Sequence, residues 1–176
     1  MKIYIDGDGC PVIGITIKIA KEYNVECIII TDTAHNFDKY DVQVITVLKG
    51  ADSVDFALVN SIEKGDIVIT QDYGLAAMCL AKQAIPINQN GIVYNQENID
   101  SFLFTRYLSK KVRMAGGRMK GMPKRNIKLN ESFAEVLRKT IEQNRSIGTG
   151  IFDRHFVQCY KIDERGIRWK IEMKKN

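Results

Sequence analysis

Cysteine and histidine are scarce and scattered in this chain of 176 residues. Cys10, Cys27, Cys79 and Cys159 form no Cys-x-x-Cys pair, and His35 and His155 are the only histidines. That pattern speaks against a zinc cluster and against a disulfide scaffold. Long apolar runs are missing too: none approaches the ~20 residues of a membrane span, and Asp6 stands where a leader segment would be basic and then greasy. A soluble, cytoplasmic protein with no membrane partner is the expectation. Arginine is absent from residues 1–105, and acid is absent from Ser101 to Asn130.

These last two gaps describe one asymmetry. Residues 1–105 hold 7 lysines against 14 acidic residues, whereas residues 106–176 hold 19 basic residues against 7 acidic ones. The formal net charge of +5 is the remainder of an acidic half and a basic half. Asymmetry of this size points to a partner with strong charge of its own, nucleic acid above all. The 45% apolar content is enough for the chain to bury a core.

Short β-branched runs alternate with helical periodicity through the first half, the pattern of a parallel α/β sheet covered by helices. Strands are predicted at residues 2–6, 25–31, 42–47, 67–70 and 84–87. Helices are predicted through Val12, Ile15, Ile19 and Tyr23, with Pro11 in the first turn; from Asp52 through Val54, Leu58 and Ile62; and from Asp72 through Leu75, Met78 and Cys79. Asn95 reads as the cap of a helix with Ile99, Phe102, Leu103 and Tyr107 on its apolar face. A Gly- and Lys/Arg-rich loop follows over residues 116–129, and Asn130 opens a further helix bearing Phe133, Leu137 and Ile141. Residues 1–145 therefore read as one α/β domain that includes a basic helical segment over 96–145. Residues 146–176 read as an extension, with a hinge at Ser146–Gly150 and a β-hairpin around Asp163–Gly166.

The chemistry sits on carboxylates. Asp6 and Asp8 end the first strand, and Asp72 follows the fourth. If strands 1 and 4 are neighbours, these residues face each other at the edge where open parallel sheets bind ligands. Asp52 and Asp55, three apart at a helix start, can reach the same edge. With no Lys or Arg close by in sequence, such a set calls for a cation, and oxygen ligands alone select Mg²⁺ or Mn²⁺. Asp6, Asp55 and Asp72 are the candidate metal ligands; all five aspartates are candidate catalytic residues for metal-assisted phosphodiester hydrolysis. The plainer reading is that Asp6, Asp52 and Asp72 cap helices.

The acid-free stretch supplies Lys110, Lys111, Arg113, Arg118, Lys120, Lys124, Arg125 and Lys128 as candidate contacts to a nucleic-acid backbone. Arg106 lies in the same run. Phe102, Phe104 and Tyr107 beside it have the helical spacing of core residues more than of base-stacking platforms. Cys10 reads as a small packed residue, His35 as a surface histidine, and Asn88 and Asn90 as turn residues.

Tyr4-Ile-Asp-Gly-Asp-Gly-Cys-Pro-Val12, Gly50-Ala-Asp-Ser-Val-Asp55, Gly65-Asp-Ile-Val-Ile-Thr-Gln-Asp72 with Leu75-Ala76, and Asn88 with Gly91 and Tyr94-Asn-Gln-Glu-Asn-Ile99 resemble the successive motifs of the bacterial YaiI/YqxD family. The resemblance covers roughly residues 1–144. That family is grouped with PIN-like domains, whose acidic crevice binds Mg²⁺ or Mn²⁺ and cuts RNA. The resemblance thus implies a PIN-like fold, an RNA substrate, and acidic positions at Asp6, Asp8, Asp52, Asp55 and Asp72. The chain departs from the family in reading Asp6-Gly-Asp-Gly-Cys-Pro where Asp-Ala-Asp-Ala-Cys-Pro is usual, and in its Gly121-Met-Pro-Lys-Arg-Asn126 segment.

Two alternatives stand beside the nuclease. One is a PIN-like module that binds RNA or protein without cutting. The other starts from Asp6-Gly-Asp8, which is similar to the Asp-x-Asp signature of haloacid-dehalogenase-type phosphatases. Cys10 stands where that signature continues with Thr, and Gly65-Asp66 precedes its strand instead of following it.

Overall fold

The structure is a computed structural model that describes residues 1–50, 52–117, 127–148, 160–162 and 168–170. It divides into two compact units, Met1–Asn144 and Arg145–Asn176. In the first, strands β1 (Ile3–Asp6), β2 (Cys27–Asp32), β3 (Gln43–Val47), β4 (Ile67–Ile69) and β5 (Ile85–Ile87) form one sheet in the order β3-β2-β1-β4-β5. Every pairing is parallel. The expected open parallel α/β sheet is what the chain forms.

Why the central strands read as unbroken apolar runs follows from their burial on both faces. Along β1, Ile3 and Ile5 point to one side and Tyr4 to the other. The first side packs α1 (Ile13–Glu22) through Ile13 and Ile17, and α5 (Ile127–Gly148) through Phe133, Leu137 and Ile141. The second packs α2 (Ser53–Ser61) through Leu58 and α3 (Tyr73–Ala81) through Leu75 and Cys79, with Ile62 just beyond α2. Each fully buried Ile, Leu or Phe contributes about 2 kcal/mol of transfer free energy, so both faces hold the sheet. Edge strand β5 accommodates Pro86, whose missing N–H would break the ladder of an inner strand.

Among the described residues, helix α4 (Ile99–Met114) packs into the core through its first turns. Ile99, Phe102 and Leu103 pack with Tyr73, Ala76 and Tyr94, while Phe104 and Tyr107 are 60% and 51% exposed. Tyr107 therefore does not join the apolar face expected for it. In the second unit β6 (Tyr160–Ile162) and β7 (Arg168–Lys170) pair antiparallel, Tyr160 opposite Lys170. The turn expected between them at Asp163–Gly166 lies outside the described residues.

Several boundaries differ from the sequence reading for local reasons. Pro11 precedes α1, whose N-cap is Val12; the Val12 carbonyl accepts both the backbone N–H and the hydroxyl of Thr16. Asn95 is not a helix cap. Its side chain accepts the N–H groups of Glu97 and Asn98 in a turn, and α4 starts after Asn98. The apolar register of Phe133, Leu137 and Ile141 reaches back one turn to Leu129, so α5 begins at Ile127 and not at Asn130. At its other end α5 runs on to Gly148, through the first residues of the stretch expected to be a hinge.

Candidate functional site

Strand order reverses between β1 and β4, and Asp6 ends β1 at that switch point. A crevice of about 580 Å³ opens there, lined by Asp6, Asp8, Asp52, Asp55 and Asp72 together with Asp32. All five aspartates singled out in the sequence thus meet in one place. Their convergence depends on close backbone packing: a Cβ at Gly7 would lie 3.1 Å from the Ile30 carbonyl oxygen and from side-chain atoms of Phe37 and Thr31. The Gln71 side chain donates to the Gly9 carbonyl at 2.8 Å and ties the loop after β4 to the loop after β1.

Asp6 is buried at 9% exposure. The Thr70 hydroxyl donates to its Oδ2 at 2.8 Å, and the Asp8 N–H reaches Oδ1 at 3.3 Å. The same Thr70 oxygen accepts the Asp72 N–H at 3.0 Å, so one side chain fixes both sides of the switch point. Burial raises the Asp6 carboxyl above its ordinary value, and the Asp8 and Asp72 charges add to that rise although both hydrogen bonds oppose it. Helix α1 starts well beyond Asp6, so Asp6 does not cap it.

Nor is Asp52 a simple cap. It takes a left-handed backbone, φ 56°, makes no side-chain cap bond, and leaves its carboxylate to the crevice. Asp55 lies in the first turn of α2, where the helix dipole favours its charge. Burial and the charges of Asp6, Asp72 and Asp52 win nevertheless, pushing its carboxyl up to about 6. Asp72 does cap α3, accepting the N–H groups of Gly74 at 2.6 Å and Leu75 at 3.2 Å on Oδ1. Burial works against its charge, but the Arg106 guanidinium, 2.9 Å from the same oxygen, and the two N–H bonds together hold the carboxyl below its ordinary value.

No Lys or Arg adjoins the acidic set in sequence, but the fold brings Arg106 to it. It reaches Asp72 from α4, thirty-four residues along the chain. Asp32 is a second residue that the sequence reading missed, although it ends β2 as Asp6 ends β1 and could have been found by that parallel. His35 is more than a surface histidine: Nδ1 lies 3.1 Å from Asp32 Oδ1, and Nε2 lies 3.8 Å from Asp8 Oδ1 at the crevice rim. The minor readings fare better. Asn88 closes a turn by accepting the N–H groups of Asn90 and Ile92, Cys10 packs against the core, and burial pushes the thiols of Cys27 and Cys79 up to about 12.

The basic candidates are placed in part. Lys110, Lys111 and Arg113 stand exposed on α4, and Lys128 is exposed on the first turn of α5. Arg118, Lys120, Lys124 and Arg125 lie outside the described residues. Arg106, Lys110, Arg113 and Met114 line a second cavity, of about 510 Å³. Lys111 is turned aside, its Nζ 5.0 Å from the centroid of the Tyr107 ring.

The donor set is all oxygen, which suits a hard cation, and the upward shifts at Asp6 and Asp55, caused by burial first and by neighbouring carboxylates second, are of a kind that a cation would oppose. Among the described residues, no group of three or more His, Cys, Asp or Glu side chains is gathered closely enough to hold a metal ion. One or two carboxylates suffice for Mg²⁺, which keeps most of its waters. The residues therefore fit a cation held by few protein ligands, and not a preformed three-carboxylate cage.

Fold and site together define a parallel α/β protein with an acidic crevice at its topological switch point. The chain belongs to the uncharacterised YaiI/YqxD family, whose sequence profile matches residues 4–143. It is 46% identical to a UPF0178 protein of Exiguobacterium sibiricum, over 81% of this chain and 98% of that one. It is 44% identical to a UPF0178 protein of Natranaerobius thermophilus, over 83% and 99%, and 48% identical to one of Ruminiclostridium cellulolyticum, over 78% and 90%. No solved structure matches the chain significantly. Among the described residues, no helix is long and apolar enough to cross a membrane.

Proposed function

We propose that this chain is a PIN-like, divalent-metal-dependent nuclease that hydrolyses phosphodiesters, with RNA as its substrate. The observation that carries the reading is the meeting of Asp6, Asp8, Asp32, Asp52, Asp55 and Asp72 in one crevice at the switch point, beside a cavity lined by Arg106, Lys110 and Arg113. One or two of the candidate ligands Asp6, Asp55 and Asp72 would hold Mg²⁺ or Mn²⁺, which would supply Lewis acidity and a water nucleophile when bound. Thr70 orients Asp6 and the Asp72 backbone at once, so the two sides of the crevice keep their spacing. Lys110 and Arg113 draw in the phosphate backbone, which the cluster of carboxylates would repel.

The phosphatase reading loses ground on one observation. Asp66 accepts the N–H groups of Lys2 and Glu63 before β4, at the edge opposite the crevice, and cannot assist Asp6. A non-catalytic RNA- or protein-binding module is favoured by the pairing of Asp72 with Arg106 and by the lack of a gathered three-carboxylate group among the described residues. Purified protein incubated with single-stranded and structured RNA in Mn²⁺ or Mg²⁺, beside an Asp6→Asn, Asp72→Asn double variant, separates the readings. Cleavage by the native chain that the variant lacks is the expected result. Binding by both without cleavage by either leaves the module, and hydrolysis of small phosphate esters restores the phosphatase.

A further inference from the structure

Arg106 stands between two cavities of opposite charge. Its Nη1 donates to Asp72 Oδ1 at 2.9 Å, and Asp72 lines the acidic crevice. The same side chain lines the basic cavity with Lys110 and Arg113. Positions 106, 110 and 113 fall on one face of α4, so three cations can meet a single ligand there. Arg113 is drawn back along the helix by its bond from Nε to the Ser109 carbonyl at 3.2 Å, toward Lys110 and Arg106.

The two sites compete for Arg106. While it holds Asp72 it withdraws one carboxylate from any cation in the crevice, and its own charge opposes that cation. The guanidinium favours the charged form of both Asp72 and Asp55, against the burial that opposes it at each. An exposed ion pair of this kind is weak, and the Arg106 side chain is 53% exposed. Exchange of partners is therefore cheap. Asp72 keeps its Gly74 and Leu75 N–H bonds when the arginine leaves, so the carboxylate stays where it is.

We infer that Arg106 couples the two cavities: a divalent cation in the crevice displaces it from Asp72 toward the basic face of α4, where with Lys110 and Arg113 it takes the phosphodiester backbone of an oligonucleotide. The inference rests on the metal reading of the crevice. Occupation of either cavity frees the other, and by thermodynamic linkage each ligand raises the affinity for the other by the same factor.

The test is a binding cycle. Mn²⁺ affinity is measured by the paramagnetic resonance signal of the free ion, with and without a nuclease-resistant phosphorothioate oligonucleotide, on the full chain and on Arg106→Gln and Arg106→Lys. The native chain should show mutual enhancement of about tenfold, within the usual range for coupled sites. Arg106→Gln should bind Mn²⁺ alone several-fold more tightly, bind the oligonucleotide less tightly in the presence of Mn²⁺, and lose most of the enhancement. Arg106→Lys, which keeps the charge without the fork, should fall between them. Because a damaged fold would weaken Mn²⁺ binding, tighter binding in Arg106→Gln separates the inference from a merely structural role. Unchanged or weaker Mn²⁺ binding in Arg106→Gln, or an undiminished enhancement, overturns the inference and leaves the metal reading standing. No Mn²⁺ binding by the native chain overturns both. Enhancement by inorganic phosphate equal to that by the oligonucleotide overturns the assignment of an oligonucleotide.

Discussion

Asp55→Asn should stabilise the metal-free protein, although it removes a residue placed among the candidate metal ligands. The Asp55 carboxyl is raised from 3.8 to about 6, by burial first and then by the charges of Asp6, Asp72 and Asp52. Among the described residues no hydrogen-bond donor reaches it, and the Arg106 charge offsets that cost only in part. A group whose pKa is higher in the folded state keeps its stability below the unfolded value and loses it as pH rises through the folded value. Here the loss falls between about pH 4 and pH 6 and is complete above. A rise of that size would be worth about 3 kcal/mol in a dry site; screening in an open crevice leaves about 1 kcal/mol. At pH 8 in chelator, Asp55→Asn should therefore exceed the native chain by about 1 kcal/mol in urea unfolding, or about 3 °C in Tm. At pH 4 the two should coincide. Mn²⁺ should reverse the order at pH 8 by stabilising the native chain more, since only that chain keeps the full set of carboxylates. Equal or lower stability of Asp55→Asn at pH 8 in chelator would refute the claim that burial and repulsion together outweigh the favourable dipole of α2.

Asp72 has two duties that substitution can separate. Asp72→Asn keeps a side-chain oxygen for the Gly74 and Leu75 N–H groups, so its unfolding free energy should stay within about 0.5 kcal/mol of native, while Asp72→Ala should lose about 1 kcal/mol; isothermal titration with Mn²⁺ should find both weakened. At Gly91 the backbone has φ +80°, and a Cβ would lie 2.9 Å from the Ser132 carbonyl oxygen and 3.1 Å from Phe133 backbone atoms. Gly91→Ala should cost about 2 kcal/mol or more in urea unfolding, and native stability in that variant would show that the turn after β5 does not pack against α5 as described.

What the sequence shows most openly is what repeats. β-Branched runs alternating with helical spacing announced the parallel sheet, because strands covered on both faces cannot carry polar positions. Helix starts were harder, since the apparent signals belong to competing local structures. Asn95 has the chemistry of a cap and spends it on a turn. Asp52 precedes its helix as a cap would, yet its left-handed backbone directs the carboxylate elsewhere. Tyr107 keeps the spacing of an apolar face that, among the described residues, has no core cluster to join, because the first turns of α4 are what meet α3.

The site shows the same division between chain-local and assembled information. Asp6, Asp8, Asp52, Asp55 and Asp72 could be gathered from sequence because each sits at a predictable end of a strand or helix, and the sheet brings such ends to one edge. Arg106 could not be placed this way. Its relation to Asp72 depends on how α4 leans on Tyr73 and Tyr94, a packing of aromatic rings with centroids 5.3 to 6.0 Å apart that no periodicity encodes. The division of the chain into an acidic and a basic half also hid the contact, since it invites the two charges to be assigned to two separate partners. In the fold the two halves meet at the Arg106–Asp72 pair, and again where Arg138 pairs with Glu22. On the proposed reading, in which a cation and a polyanion enter adjacent sites, the Arg106–Asp72 pair would lower repulsion among the carboxylates when neither ligand is bound and would be weak enough at the surface to part when either arrives.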